Sequence, residues 1–360
     1  MSAYIGFLMI IVIEWFFLYP NGKIYIGEEI ASKQKKKFMI IICIELIFFA
    51  GFRGTDIGAD TVTYLNALKY YSNLPHSSIL NAQLVWPFDF EIGYFLLTKF
   101  AAWLSFDETM FLLLIATIIY IPVSWFIFKY SENPLFSVLT YFVICFGYSI
   151  GIFRQMIAMS IVLVGTKYIW DRKLIKFLLT IGLAMTFHTT AIIMVPLYWL
   201  WQFKLENKLI WILFAEVICL FGARNIVLLA VKILPKYAGY VSGIYDIQGG
   251  SYSMLILLNV VLLFAFKIQN KTENKNNMIL RMSVNATVMA IFLQILGYSM
   301  GIFGRIVPYY SIYLLILIPI LLNRYLRMDV FAYFLTILSF MVLFYLLTKG
   351  SRIDPYYFIF

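Results

Sequence analysis

About twelve stretches of almost uninterrupted apolar residues follow one another along the chain, and they limit its fold more than any other feature. They read at about 4–19, 38–52, 108–128, 134–150, 155–170, 177–187, 189–201, 208–222, 253–268, 279–299, 306–322 and 330–347. A helix needs roughly 17–25 apolar residues to cross the hydrocarbon core. Inside lipid every backbone N–H and C=O must be paired within the protein, which leaves only helices or a closed barrel. The runs lack the period-two alternation of barrel strands. The expectation is an all-α polytopic membrane protein, one integral membrane domain over residues 1–360, with about twelve transmembrane helices. Composition agrees. The chain is 63% hydrophobic and 13% charged, against roughly 25% charged residues in a soluble domain.

Charge sets the orientation. Basic residues gather at Lys33, Lys35, Lys36 and Lys37, at Arg172, Lys173 and Lys176, at Lys267, Lys271, Lys275 and Arg281, and at Arg324 and Arg327. Cytoplasmic connectors carry such an excess, so both ends of the chain are expected outside. The formal charge of +10 reads as this bias, not as affinity for nucleic acid. The first span, with no basic leader and no small-residue cleavage site, is expected to be retained. Cys43, Cys145 and Cys219 lie in apolar runs with no disulfide or metal spacing. The Asn270-Lys271-Thr272 sequon falls in a connector assigned to the cytoplasm. Residues 177–201 are too short for two full spans. They either break at His188-Thr189-Thr190 into two half-length elements, or form one long span with a compensating short element at 226–234.

Two outer excursions remain, 53–107 and 235–253. In the first, Thr61 to Tyr71 reads as a helix capped by the Asp60 side chain. Glu91 to Leu104 is apolar but short, as a re-entrant or interfacial helix would be. On this topology Arg53, Arg154, His188 and Arg305 share the outer level. Arginines there need a reason, because charges at membrane depth usually face a bundle interior or cavity. A guanidinium fork matches phosphate oxygens bidentately, so several around one cavity suit a diphosphate. Plainer readings stand beside this one. A single outer arginine can be a snorkelling anchor, Asp56 can neutralise Arg53, and His188 can be a hydrogen-bonded core histidine. Glu14, Glu45 and Glu216, inside spans, read as paired or protonated.

Several ordered pieces resemble the EpsG family of exopolysaccharide repeat-unit polymerases, relatives of the Wzy-type O-antigen and capsule polymerases. Phe52-Arg53-Gly54, then Ile57-Gly58-Ala59-Asp60-Thr61 and Tyr64, resemble its Phe-Arg…Gly-x-Asp-Thr…Tyr element. Glu91-Ile92-Gly93-Tyr94 resembles Glu-x-Gly-Tyr, and Arg154-Gln155-x-x-Ala158 resembles Arg-Gln-x-x-Ala. Phe187-His188-x-x-Ala191 resembles Phe-His-x-Ser-Ala, with Thr190 where serine is usual. Arg305 before Tyr309-Tyr310 resembles the late arginine–tyrosine element, and Pro355-Tyr356 resembles the tail.

The resemblance implies transfer of a growing glycan from polyprenyl diphosphate to the sugar end of a lipid-linked repeat unit. Arg154 and Arg305 would face the diphosphate, with Arg53 as a third contact. His188 is the first candidate for the base, followed by Asp60 and Glu91. Asp56, Tyr64, Gln155 and Tyr309 are expected to line the substrate. No cofactor or metal is expected, and the pathway's flippase and chain-length regulator are the expected partners. A flippase for the same lipid-linked oligosaccharide is the main alternative, although it expects pseudo-symmetric halves and none is visible. An outer-face glycan ligase and a membrane acyltransferase using His188 are the others.

Overall fold

The computed structural model describes residues 2–19, 28–85, 88–205, 207–233, 251–269, 277–325, 330–348, 353 and 355–359. Most of the outer excursion at 235–253, the sequon, Lys271, Lys275 and Arg327 lie outside the described residues. Helices come first as α1 (Ser2–Leu18), α2 (Glu28–Gly51), α3 (Thr61–Ser72), α4 (His76–Ile79), α5 (Ile92–Trp103) and α6 (Glu108–Tyr130). Next are α7 (Pro134–Tyr141), a π-helical segment Phe142–Phe146, α8 (Gly147–Ser149), α9 (Phe153–Trp170) and α10 (Leu174–Met185). A 3-10 helix Thr189–Met194 precedes α11 (Leu197–Leu200), α12 (Leu209–Ile233), α13 (Tyr252–Gln269) and α14 (Asn277–Ser299). The series ends with α15 (Gly301–Ser311), α16 (Leu314–Tyr325) and α17 (Val330–Thr348). Contacts gather in two compact units, Met1–Val195 with Arg327–Phe360, and Pro196–Leu326.

Among the described residues five helices are long and apolar enough to cross a membrane: Glu108–Tyr130, Leu209–Leu229, Tyr252–Gln269, Met278–Ser299 and Phe331–Thr348. The pair α15 and α16, bent by 57°, makes a sixth if counted as one span. The expected helices α3 and α5 both form. At 12 residues each, they rise only about 18 Å, too little to cross the core. Other expectations shift. Lys33 to Lys37 lie within α2 rather than before it. Residues 177–201 break at His188, where α10 gives way to the 3-10 helix, and 226–233 simply continue α12. The stretch read as one span at 306–322 is divided between α15 and α16, with Arg305 inside α15. Glu14 on α1 and Glu45 on α2, expected to be paired or protonated, lie within hydrogen-bonding reach of one another, and each keeps one buried carboxyl oxygen without a partner, as Glu216 does.

In the first unit, helix ends sort into two groups. At one end the Tyr4 hydroxyl donates to the Ile353 carbonyl at 2.6 Å, amid stacked rings Phe7–Phe49 at 4.2 Å and Phe49–Tyr356 at 4.4 Å. At the other, Lys35 Nζ donates to the Ser131 carbonyl at 2.6 Å and Asn133 Nδ2 to the Tyr333 hydroxyl at 3.3 Å. Where lipid is the solvent, such packing and hydrogen bonds hold helices together more than the hydrophobic effect does.

Arg53 organises the first end. It is 2% exposed. Its Nη2 donates to the Ile150 carbonyl at 2.8 Å, its Nε to Ile57 at 3.4 Å and its Nη1 to Ala50. These carbonyls lie near the end of α2, in the loop after it and just past α8. Thr61 Oγ1 adds bonds to Ile57 at 2.8 Å and Ile150 at 3.1 Å. The loop turns at Gly58 with φ +110°, and a Cβ there would stand 2.3 Å from the Ile150 carbonyl oxygen. The tail then pairs with the loop: Gly54 N–H donates to Tyr357 O at 2.9 Å and Ile359 N–H to Phe52 O at 2.9 Å, an isolated antiparallel bridge at Arg53 and Phe358. Gly58→Ala is expected to lower stability by roughly 1–3 kcal/mol through backbone strain, read as a fall in the thermal midpoint of the detergent-solubilised protein. An unchanged midpoint is the contrary result.

Candidate functional site

Three helix ends of the first unit meet at one carboxylate. Glu91 precedes the first residue of α5, Arg154 lies in the first turn of α9, and His188 follows α10 in extended backbone, φ −157° and ψ 115°. Gly93 brings two of these together. Its N–H donates to the Thr186 carbonyl at 2.7 Å, and a Cβ at Gly93 would fall 2.5 Å from Thr186 Oγ1. Only glycine lets α5 approach the end of α10 this closely.

Glu91 is then shared. Its Oε2 accepts from Arg154 Nη1 at 2.6 Å. Its Oε1 pairs with His188 Nδ1 at 3.0 Å and accepts the Thr189 N–H at 3.1 Å, covering the start of the 3-10 helix. Burial pushes the Glu91 carboxyl up, but the His188 hydrogen bond and the Arg154 charge outweigh it and hold it at about 2. Arg154 lies over the Phe90 ring at 5.0 Å and the Tyr64 ring at 6.0 Å. Tyr64 in turn stacks on Phe153 at 4.7 Å, and burial raises its hydroxyl pKa against the opposing pull of Arg154. Side-chain exposures of 14% for Glu91, 24% for Arg154 and 22% for His188 leave the cluster lined but reachable.

The chemistry follows from the geometry. A carboxylate on Nδ1 fixes the imidazole tautomer and leaves Nε2 to take or give a proton. Among the described residues, only Glu91 hydrogen-bonds the His188 ring. A guanidinium carries five N–H donors. The Nη1 of Arg154 bonds Glu91, while its buried Nε has no hydrogen-bond partner. The same site therefore offers a proton acceptor beside a fixed cation.

The sequence-predicted residues divide. Glu91, Arg154, His188 and Tyr64 come together, and Asp60 lies close enough to act electrostatically on Tyr64. Asp60 precedes α3, but its side chain makes no capping bond, contrary to the expectation; Thr61 takes the loop carbonyls instead. Arg53, expected as a diphosphate contact, is turned inward onto three carbonyls and over the Phe153 ring at 5.3 Å. Its observed role is to clamp the loop. Asp56 accepts from the Tyr357 hydroxyl, where partnership with Arg53 was the alternative. Gln155 is buried beside Arg154 in the sequence. Arg305 is exposed on α15 in the second unit, and Tyr309 there is buried at 1% exposure. Sequence reasoning missed Thr186, Phe90 and the docking role of Gly93; the glycine of the Glu-x-Gly-Tyr element was the available signal. Among the described residues no three His, Cys, Asp or Glu side chains gather as metal ligands.

A helical membrane protein with a half-buried carboxylate–imidazole–guanidinium cluster is the class so defined. The chain belongs to the EpsG family, whose model matches residues 36–358. Membership carries a polysaccharide-polymerase-like role with glycosyltransferase-like chemistry. Comparison with curated proteins and with solved structures returned no match.

Two outcomes are expected. Because the fold stabilises the ionised Glu91, its contribution is complete above the ordinary pKa of 4.5 and is lost as pH falls toward about 2. The midpoint difference between wild type and Glu91→Gln should therefore shrink from about pH 5 downward; a difference that grows with acid contradicts the assignment. Gly93→Ala should part α5 from α10 and cost activity while the protein still inserts. Wild-type activity in that variant is the contrary outcome.

Proposed function

We propose that this protein is a multi-pass polymerase of the bacterial cytoplasmic membrane, crossing about twelve times. At the outer face it transfers a polyprenyl-diphosphate-linked glycan onto a lipid-linked repeat unit. The single observation that carries the mechanism is Glu91 held between Arg154 and His188, at 2.6 and 3.0 Å. His188 Nε2 takes the proton of the acceptor hydroxyl as its oxygen attacks the anomeric carbon. The bond from that carbon to the diphosphate breaks, and the diphosphate leaves with the electron pair. Arg154 stabilises the negative charge gathering there, which in a partly dry site is usually the largest catalytic effect. Glu91 keeps the imidazole oriented and stabilises the imidazolium formed. Asp60 remains the second candidate for the base. The part given to Arg305 rests on the sequence resemblance.

Membranes carrying each variant, supplied with lipid-linked repeat units, test these roles separately. His188→Ala should slow transfer by roughly 10²–10⁴. Arg154→Ala should lose most transfer, and Arg305→Ala tests its assignment alone; full-length polymer at the normal rate from either variant removes that arginine from the mechanism. A clean deletion separates the rival activities. Single repeat units left on lipid support a polymerase, long chains stranded on the carrier indicate a ligase, and repeats held on the cytoplasmic side indicate a flippase.

A further inference from the structure

A second feature of the first unit lies outside the Glu91 cluster yet on the same helix. At the C-terminal end of α3 a cavity of about 420 Å³ is lined by Lys69, Ser72, Asn73, Phe106, Asp107 and Glu108. Tyr64, which packs against the Arg154 guanidinium, and Ser72 at the cavity are eight residues apart along α3, or about 12 Å at 1.5 Å per residue. One helix therefore joins the aromatic wall of the proposed transfer site to this cavity.

Its chemistry differs from that of the cluster. Ser72 and Asn73 are exposed, and their hydroxyl and amide can each donate and accept. Asp107 uses Oδ1 to accept the Met110 N–H at 2.7 Å, which leaves its second oxygen for a ligand. Lys69 Nζ and Glu108 Oε1 pair at 2.6 Å from α3 to α6. One ammonium against two carboxylates disfavours a phosphate, whereas closely spaced donors and acceptors beside the Phe106 ring suit a polyhydroxylated ligand with apolar C–H faces. Leu68, Thr109 and, from the tail, Ile359 complete the lining.

We infer that this cavity is a saccharide subsite that holds uncharged sugar hydroxyls of the lipid-linked glycan while its diphosphate end lies at Arg154. The inference rests on the polymerase reading and deepens it. The subsite fixes the sugar chain and takes no part in bond making, so its loss acts on binding rather than on chemistry.

Two variants of the full chain, reconstituted with synthetic lipid-linked repeat units, test it. Asn73→Ala removes an amide without adding bulk, and Ser72→Trp fills the space. Asn73→Ala should raise KM about three- to tenfold, the loss of one hydrogen bond, with kcat unchanged. Ser72→Trp should raise KM further and shorten the polymer. Wild-type KM and polymer length in both variants overturn the subsite, and so does a fall in kcat at constant KM. If wild type makes no polymer from these units, the polymerase reading itself fails; if it does and both variants match it, only the subsite fails.

Discussion

The carbonyls of Ala50, Ile57 and Ile150 lie where helices stop and the chain turns, and the single Thr61 hydroxyl that also reaches Ile57 and Ile150 has one proton to give. The Arg53 guanidinium donates to all three. A buried acceptor left unpaired costs about 1–3 kcal/mol, so one planar cation with five donors does what several separate side chains would otherwise do. Its burial has a consequence for the site. The clamp fixes the turn from Gly54 to Thr61, the turn fixes the start of α3, and α3 carries Tyr64 to the Arg154 side chain. The arginine expected as a third diphosphate contact therefore acts one layer below the site.

The cluster above is built almost wholly from helix ends. Glu91, Arg154 and His188 each sit at the limit of a helix, where backbone direction changes and side chains from different segments can converge. A single carboxylate in that position has three tasks: it neutralises an arginine at a helix start that disfavours cations, caps a 3-10 helix, and orients an imidazole. Because the tasks share two oxygen atoms, a change to any partner disturbs the others. The free energies of variants at these positions should not add.

The sequence disclosed the helices by their apolar length and the outer elements by their composition. Residues bearing charge within apolar surroundings, Arg154 and His188 above all, were legible because such placement needs a reason. What escaped it was anything decided by neighbours distant along the chain. The direction in which Arg53 points depends on a carbonyl 97 residues away. The break between α15 and α16, and the π-helical turn at Phe142–Phe146, leave no mark in an apolar run whose composition does not change. Asp60 has the right residue type for a cap, yet Thr61, tied to two loop carbonyls, fixes the start of α3 instead.

The bridge between the Arg53 loop and the tail has a further consequence in time. Asp56 and the Tyr357 that bonds it are 301 positions apart, so the ribosome makes the second long after the first. Until then the Gly54 N–H and the Phe52 carbonyl lack the strand that pairs them. The backbone groups on either side of Arg53 therefore find their partners only after every helix between has been made.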